Sequence, residues 1–479
     1  MLALPERAVQ FGTGAFLRGF VEHYVDAANA AGQFNGRIVA IGSTGSGRDR
    51  AFAEQDGLFT LVARGVVHGG AQQEARVVGS VSRALSAVHE WDEVLACARN
   101  PQLSVVFSNT TEVGIRLDED DDATHAPPRS FPGKLTRFLY ERARTFAFAP
   151  SKGVVVVPCE LIEDNGSVLR RIVLELAERW GYEPGFARWI EAAVPFCNTL
   201  VDRIVPGAPD TDDAEALASR HGFDDGLLTS AELFRLFVIE GDEPLRARLG
   251  FADADRTVVV TNDIGAYRQR KVSLLNGAHT TMVSLALLAG CDTVRDAMTH
   301  AQVGPFVRRV LLDEILPAVQ APDAERFALS VLDRFENPYI RHALADITLQ
   351  GTTKLRVRVV PTIIRAAQRS GRVPDALSLG FAAHLAYLHP QQLADRVASG
   401  QSVRVDDTGT KITAHWHHVE HTLPALNRFV HDVASDTSLW DVDMTVIPGF
   451  VDGVAQQLQT LQVHGVGRAL ETLLSVSVT

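Results

Sequence analysis

The run VVVV at positions 154–157 constrains this chain more than any other stretch. Four consecutive β-branched residues have no polar face to turn to water, so a strand made of them must be covered on both sides. Strands of that kind belong to parallel sheets sandwiched between helices. Six apolar runs fit the role: Val9–Gly12, Arg37–Gly42, Phe59–Ala63, Leu103–Ser108, Gly153–Val157 and Thr257–Thr261. Helical patterns or loops separate them, and that alternation predicts a doubly wound α/β domain. From about residue 272 the pattern changes. GAHTTMVSLALLAG, DTVRDAMTHAQVGPFVRRVLL, DAERFALSVLDRF, LPALNRFVHDVA and FVDGVAQQLQTLQVHGVGRALETLL place apolar residues at three- and four-residue spacing, the mark of amphipathic helices.

At 479 residues the chain exceeds what one hydrophobic core usually supports. The expected architecture is an N-terminal Rossmann-like doubly wound sheet domain, residues 1–265, and a mainly α-helical C-terminal domain, residues 266–479. The boundary falls between Asp263 and Lys271, just after the last strand.

Lys and Arg number 46 against 58 Asp and Glu, a formal net charge of −12. That balance argues against a nucleic-acid partner and against an anionic membrane surface. No run of about 18 apolar residues predicts a membrane span, and MLALPERAVQFG lacks the apolar stretch of a signal peptide. Cys97, Cys159, Cys197 and Cys291 form no CxxC pair, which suits reduced thiols in a cytoplasmic protein. A monomer or a homodimer is equally compatible with these features. The run DEDDDATHAPPRSFPG at 118–133 reads as a solvated loop.

The segment VQFGTGAFLRGF at 9–20 runs a strand into a helix through Gly12, Thr13 and Gly14, followed by Ala15, Phe16 and Arg18. A small turn there lets backbone N–H groups and a helix N-terminus face a pyrophosphate. The third glycine of GxGxxG would fall at Leu17, so the fingerprint is incomplete and an ordinary strand–helix turn fits as well. Arg18 is placed to reach a phosphate. The second strand, RIVAIGS, ends on Ser43, Thr44, Gly45, Ser46, Gly47 and Arg48. An NAD-specific domain usually sets an acid there. Its absence leaves NAD and NADP both open.

RKVSLLNGAHT at 270–280 carries Lys271, Asn276 and His279 at offsets 0, 5 and 8. On a helix advancing roughly 100° per residue, Asn276 and His279 fall about 60° apart and Lys271 about 80° from His279. Lys271 is expected near the helix start, where the N-terminus would lower its pKa. These residue types suit alcohol–ketone chemistry without a metal. A lysine takes or returns the hydroxyl proton, amides such as Asn276 and Asn198 donate to the developing alkoxide, and His279 orients the substrate oxygen. Taken alone, a Lys–Asn–His triple at this spacing also arises by chance.

QFGTGAFLRGF, FSNTTEVGI at 107–115, PCELIEDNG at 158–166, FCNTLVDRIVP at 196–206, RKVSLLNGAHT and KLRVRVVPT at 354–362 together resemble the polyol-specific long-chain dehydrogenases. This is the mannitol dehydrogenase, fructuronate reductase and tagaturonate reductase family. GQFNGRIVAIGS, EQDGLFTLVARG, FPGKLT and LLTSAELFRLFVIEG at 227–241 are similar to its tagaturonate-reducing branch. The resemblance implies NAD-dependent, metal-independent interconversion of a ketone and a secondary alcohol, with D-tagaturonate and D-altronate as the first expectation. Fructuronate or mannitol chemistry is the alternative, and a non-catalytic dinucleotide-binding sensor is the rival of another class. By motif position it implies Lys271 as general acid/base, Asn198 and Asn276 as oxyanion-hole amides, His279 as a substrate-positioning residue and Lys354 as a substrate contact. Asn109 and Thr110 join Gly12–Phe16, Arg18 and Ser43 as expected cofactor contacts. Mannitol-type members carry an arginine eight residues before the substrate lysine; here that position holds Asp346.

A sugar acid needs a cation for its carboxylate. Lys354, Arg356 and Arg358 lie in one short run and share a face if that run is extended. Arg268 and Arg270 flank the lysine segment. Lys354 and Arg358 are the first choices for the carboxylate. HWHHVEH at 415–421 sets His417 and His421 at i, i+4. That spacing can chelate a metal on a helix, but a solvated polar face fits the segment better, and no metal is expected.

Overall fold

The computed structural model describes residues 2–43, 47–110 and 114–475. Thr44, Gly45 and Ser46 lie outside the described residues, as do the side chain of Arg48 and positions 111–113 of FSNTTEVGI. The chain divides into two compact units. One comprises Met1–Gly65 and Gln72–Ile264, the other Val66–Ala71 and Gly265–Thr479.

The first unit holds the strands β1 (Glu6–Phe11), β2 (Arg37–Gly42), β3 (Phe59–Val67), β4 (Gly70–Val78), β5 (Val81–Ser86), β6 (Val105–Ser108), β7 (Val155–Pro158), β8 (Thr199–Asp202), β9 (Thr229–Glu232), β10 (Leu236–Glu240) and β11 (Val258–Thr261). Its main sheet has the order β5-β2-β1-β6-β7, and the pairings are parallel. The valine run behaves as its composition demands. Val154 and Val156 enter one apolar cluster with Val9, Phe11, Val39 and Ile41. Val155 and Val157 enter the cluster on the other face with Ala8, Ile38 and Phe107. Helices Phe131–Thr145, Asn165–Arg179 and Pro184–Ala193 cover the first face, and the helical stretch Ala15–Ala30 covers the second. The strand order reverses between β1 and β6, and such a switch point opens a crevice at the carboxyl ends of the strands. Two smaller sheets, β11-β10-β8 and β4-β3-β9, complete the unit.

Several of these strands escaped the apolar-run pattern. β4, GAQQEARVV, is mostly exposed, and β8 (TLVD) and β9 (TSAE) hold too few apolar residues to make a run. The acidic stretch at 118–133 is less uniformly solvated than its charge suggests. Asp121 is buried and accepts from the backbone N–H groups of Arg129 (2.6 Å) and Ser130 (3.2 Å) and from the Ser130 hydroxyl. Ser130 in turn caps the helix that begins at Phe131.

The second unit is helical. At its centre the helix Asp375–Tyr387 buries every residue from Ala376 to Tyr387, as a helix apolar on all sides must. The segment Phe450–Ser475 is interrupted at Gly465, whose φ is 80°. The turn Val66–Ala71 joins this unit through Asp333, which accepts from the N–H groups of His68 (3.1 Å) and Gly69 (3.3 Å). No helix among the described residues is long and apolar enough to cross a membrane.

Candidate active site

At the carboxyl end of β1 the chain turns through Gly12, whose φ is 127°. A Cβ there would lie 2.8 Å from the Asn109 carbonyl oxygen and 3.0 Å from Leu17 Cδ1. The position therefore requires glycine on two counts, backbone conformation and close approach. Leu17, which stands where the third glycine would fall, is fully buried. The helix starts at Ala15 with Gly14 as N-cap and no side-chain cap, so its first N–H groups are not taken by a capping side chain. Phe16 stacks on Phe20 at 4.9 Å. Arg18, expected beside a phosphate, is instead buried. Its Nε donates to Thr229 Oγ1 and its Nη1 to the Thr13 carbonyl, both at 2.8 Å, so the guanidinium braces the turn from within.

One turn later the helix widens into a π segment, Arg18–Glu22. Glu22 is fully buried and accepts from Gln10 Nε2 at 2.7 Å. Burial raises its pKa to about 7 against the pull of Arg18 and Gln10.

Ser43 directly follows β2, with its Oγ buried and without a hydrogen-bond partner among the described residues. Asn109 Nδ2 donates to the Cys159 carbonyl at 2.7 Å. Thr110 donates to Glu160 Oε1 from its N–H (3.0 Å) and its hydroxyl (3.1 Å), while Ser108 holds the other carboxylate oxygen at 3.1 Å. Glu160 and Asn165 both lie in PCELIEDNG, whose sequence alone assigns them no role. Asn165 donates to the carbonyls of Pro158 and Glu160 and to Thr199 Oγ1, and accepts from the N–H groups of Gly166 and Thr199. That buried knot ties the end of β7 to β8.

Asn198 immediately precedes β8. Its Oδ1 accepts from Ser167 N–H at 2.9 Å, and its Nδ2 donates to Glu240 Oε2 at 2.7 Å and to Ser167 Oγ at 3.2 Å. Gly166 packs against this backbone so closely that a Cβ would lie 2.8 Å from Asn198 N. Cys197 beside it is buried, and its thiol is pushed up to about 12 by desolvation, consistent with an inert packing role. All four cysteines are free and buried.

In the second unit Lys271 is not at a helix start. The helix begins at Ile264, so Lys271 lies about two turns inside it. The segment Lys271–Gly277 is a π-helix that runs directly into the α-helix Ala278–Leu288. On an α-helix Lys271 and Asn276, five residues apart, would diverge by about 140°. The i→i+5 bonding of a π segment draws them toward one face. Asn276 is half-buried. His279 stacks on Phe335 at 4.1 Å and meets His342 edge-on at 5.0 Å. Its Nε2 is sealed from solvent without a hydrogen-bond partner among the described residues. Desolvation, with the added repulsion of His342, Arg334, Arg358 and Lys354, holds the imidazole well below its ordinary pKa and therefore neutral.

KLRVRVVPT is not extended. Residues Gly351–Arg358 form a helix, because the apolar contacts of Thr352 and Leu355 recur at helical rather than strand spacing. Lys354 and Arg358, four apart, therefore share a face that Arg356 leaves. Lys354 Nζ donates to the Ile347 carbonyl at 3.0 Å, Arg358 Nη1 reaches Thr280 Oγ1 at 3.4 Å, and Arg356 pairs with Asp441 at 3.4 Å. Desolvation lowers the pKa of both Lys354 and Arg358. Arg270 is removed from the carboxylate candidates. It is buried, lies over the rings of Tyr267 (4.8 Å) and Phe327 (4.6 Å), and donates to the Pro322 carbonyl. The i, i+4 pairing of His417 and His421 does not form either, since the helix stops at His415. Among the described residues no cluster of three or more His, Cys, Asp or Glu could hold a metal ion. Arg334, Phe335 and His342 were not anticipated. They come from the end of one helix and from a loop, with no motif to announce them.

A parallel sheet with a glycine turn at its switch point, followed by a helical unit that carries Lys271, Asn276 and His279 along one continuous helix, is the architecture of a Rossmann-fold oxidoreductase with a helical C-terminal domain. The chain belongs to the mannitol dehydrogenase family: residues 6–251 match its Rossmann domain and residues 263–462 its C-terminal domain. It is 39% identical to the altronate oxidoreductase of Yersinia enterocolitica (serotype O:8 / biotype 1B) over 97% of this chain and 96% of that protein. Its identity to the altronate oxidoreductase of Bacillus subtilis (strain 168) is 39%, over 98% and 95%. Among solved structures, D-sorbitol dehydrogenase in substrate-free form superposes with a TM-score of 0.75 at 25% identity, covering 98% of this chain and 95% of that one. The Pseudomonas fluorescens mannitol 2-dehydrogenase complex with NAD and D-mannitol gives 0.67 at 24% identity, covering 100% and 96%, and shares the fold.

Proposed function

We propose that this oxidoreductase interconverts a keto-uronate and a sugar acid with NAD as cofactor, D-tagaturonate and D-altronate being the pair. The setting of His279 carries the reading. A neutral imidazole whose sealed Nε2 has no partner among the described residues lies in the positive field of Lys354, Arg358 and Arg334. The ring nitrogen suits a hydroxyl or carbonyl oxygen, and the cations suit a carboxylate. Relatives named altronate oxidoreductase, aligned along nearly the whole chain, support the same substrate class.

In this reading residues 1–265 bind the dinucleotide and residues 266–479 bind the sugar. The Cβ-free cradle at Gly12, the uncapped helix start at Gly14 and Ala15, and the orphaned hydroxyl of Ser43 fit a dinucleotide. Thr13, Phe16, Asn109 and Thr110 would complete its contacts. NAD supplies the hydride chemistry. Lys271 gives a proton to the carbonyl oxygen on reduction and takes it back on oxidation. Asn276 donates to that oxygen as negative charge develops. Asn198 is assigned to the same oxygen, and to serve it must exchange its hydrogen bond to Glu240 or Ser167. His279 orients the oxygen, and Lys354 with Arg358 holds the carboxylate.

The test is oxidation of NADH and of NADPH by the purified protein with tagaturonate, fructuronate and fructose. Turnover of tagaturonate with NADH is the expected result. Turnover of fructose alone would overturn the carboxylate assignment, and turnover of fructuronate alone would move the protein to that substrate. Cofactor binding without turnover of any of them would favour a sensor.

A further inference from the structure

His384 sits in the fully buried helix Asp375–Tyr387, where a polar ring is out of keeping with its neighbours. Both of its ring nitrogens are engaged, and by different helices. Nε2 is 3.0 Å from Thr352 Oγ1, in the first turn of the helix that carries Lys354 and Arg358. Nδ1 faces Ser284 Oγ at 3.4 Å, on the helix that carries His279. The fit around the ring is close. A Cβ on Gly351 would lie 3.3 Å from His384 Cε1, and a Cβ on Gly380 would lie 2.3 Å from Thr281 Cγ2. Thr280, next to Thr281, holds Arg358. Burial lowers the His384 pKa to about 4, so the ring is neutral and can donate from one nitrogen while accepting at the other.

We propose that His384 is a positioning residue: by pinning Thr352 and Ser284 it fixes the Lys354–Arg358 pair relative to His279. The inference rests on the reading of those three residues as substrate contacts. Its effect is on substrate fit rather than on proton transfer, because both of its ring nitrogens face protein hydroxyls, Thr352 and Ser284.

Three variants test it. His384→Phe keeps the ring and removes both hydrogen bonds. His384→Gln places an amide where Nε2 was, and His384→Asn places one where Nδ1 was. His384→Phe is expected to raise KM for the sugar substrate about tenfold or more, with a smaller change in kcat and an unchanged Kd for NADH. His384→Gln, which can still reach Thr352, is expected to recover most of the KM. Equal impairment of the Phe and Gln variants, with melting temperature falling in parallel, would overturn the proposal, as would an unchanged KM in His384→Phe. If that variant fails to fold, the Gln against Asn comparison decides, equal KM values overturning the pin to Thr352. Wild-type protein that turns over no keto-uronate defeats the functional reading alone. The pin is then judged on the sugar it does turn over, or, if there is none, by a crystal structure of His384→Gln against His384→Asn. Unmoved Lys354 and Arg358 side chains in both would overturn it.

Discussion

The carboxyl end of the parallel sheet and the helix that begins at Ile264 are built on opposite plans. At the sheet end the polar side chains turn inward onto the protein's own atoms. Arg18 holds Thr13 and Thr229, Asn109 holds Cys159, Thr110 holds Glu160, and Asn165 ties five groups together. What remains for a ligand there is largely backbone, framed by glycine. On the helix Ile264–Leu288 the π segment gathers Lys271 and Asn276 toward one face, and His279 keeps a buried nitrogen without a partner among the described residues. A dinucleotide's phosphates are recognised by N–H groups that any sequence supplies once the backbone can approach. Proton transfer needs particular side chains in particular places. The first plan asks the sequence for small residues and rigid supports, the second for reactive groups.

If that contrast holds, the largest single effect belongs to Lys271. Lys271→Met is expected to lower kcat about 10³-fold, close to 4 kcal/mol of barrier, with an unchanged melting temperature and NADH affinity. Activity within tenfold of wild type would mean that another group moves the proton.

The next effect tests the sheet end. Glu22 titrates at about 7 in the folded chain against an ordinary value of 4.5. A raised carboxyl pKa means that the folded state prefers the protonated form. Its stabilisation is therefore complete below about pH 4.5 and is lost as pH rises through 7. The shift corresponds to about 3 kcal/mol. Glu22→Gln should be the more stable protein at pH 8 and should flatten the decline in stability between pH 5 and 8, measured by denaturant titration. A decline of the same slope in both proteins would assign the buried carboxyl no part in it.

Gly12→Ala should cost about 2 kcal/mol through its positive φ and the contact with Asn109, and weaken NADH binding while leaving Lys271, Lys354 and Arg358 untouched. A variant with wild-type NADH affinity would break the claim that the first plan works through backbone approach. The smallest effect sharpens the second plan. Arg358→Ala should raise KM for a keto-uronate about tenfold, roughly 1.4 kcal/mol, without changing KM for fructose. An equal rise for both would make Arg358 a support for Thr280 rather than a carboxylate ligand.

The legible parts of this protein were those set by local pattern. The unalternated valines announced a sheet covered on both faces, and the glycine-flanked end of β1 announced a close backbone approach. The helical run after residue 272 announced the second unit's class. Strands β8 (TLVD) and β9 (TSAE) were hidden by having too few apolar residues to make a run, and β4 by its exposure, because the pattern needs an apolar face to be visible. KLRVRVVPT misled for a related reason. Its alternating Lys, Arg and Arg imitate a strand, but its environment buries Thr352 and Leu355 and leaves Lys354 and Arg358 four apart on a helix. Arg270 looked like a free cation and is held by Tyr267 and Phe327, the latter 57 positions away in sequence and absent from any local reading.

By itself the sequence determined the fold class, the glycine at Gly12 and the set of reactive residue types, since strand burial, φ preference and side-chain chemistry are properties of short segments. Tertiary structure decided which of those groups are engaged. Arg18, Arg270 and Asn198 look available in the sequence, yet each meets a residue brought in by the fold, Thr229, Phe327 and Glu240 respectively, and Arg358 meets Thr280 in the same way. It also decided that His279 is neutral, because the desolvation and the cations that set its charge converge from helices and loops distant in the chain.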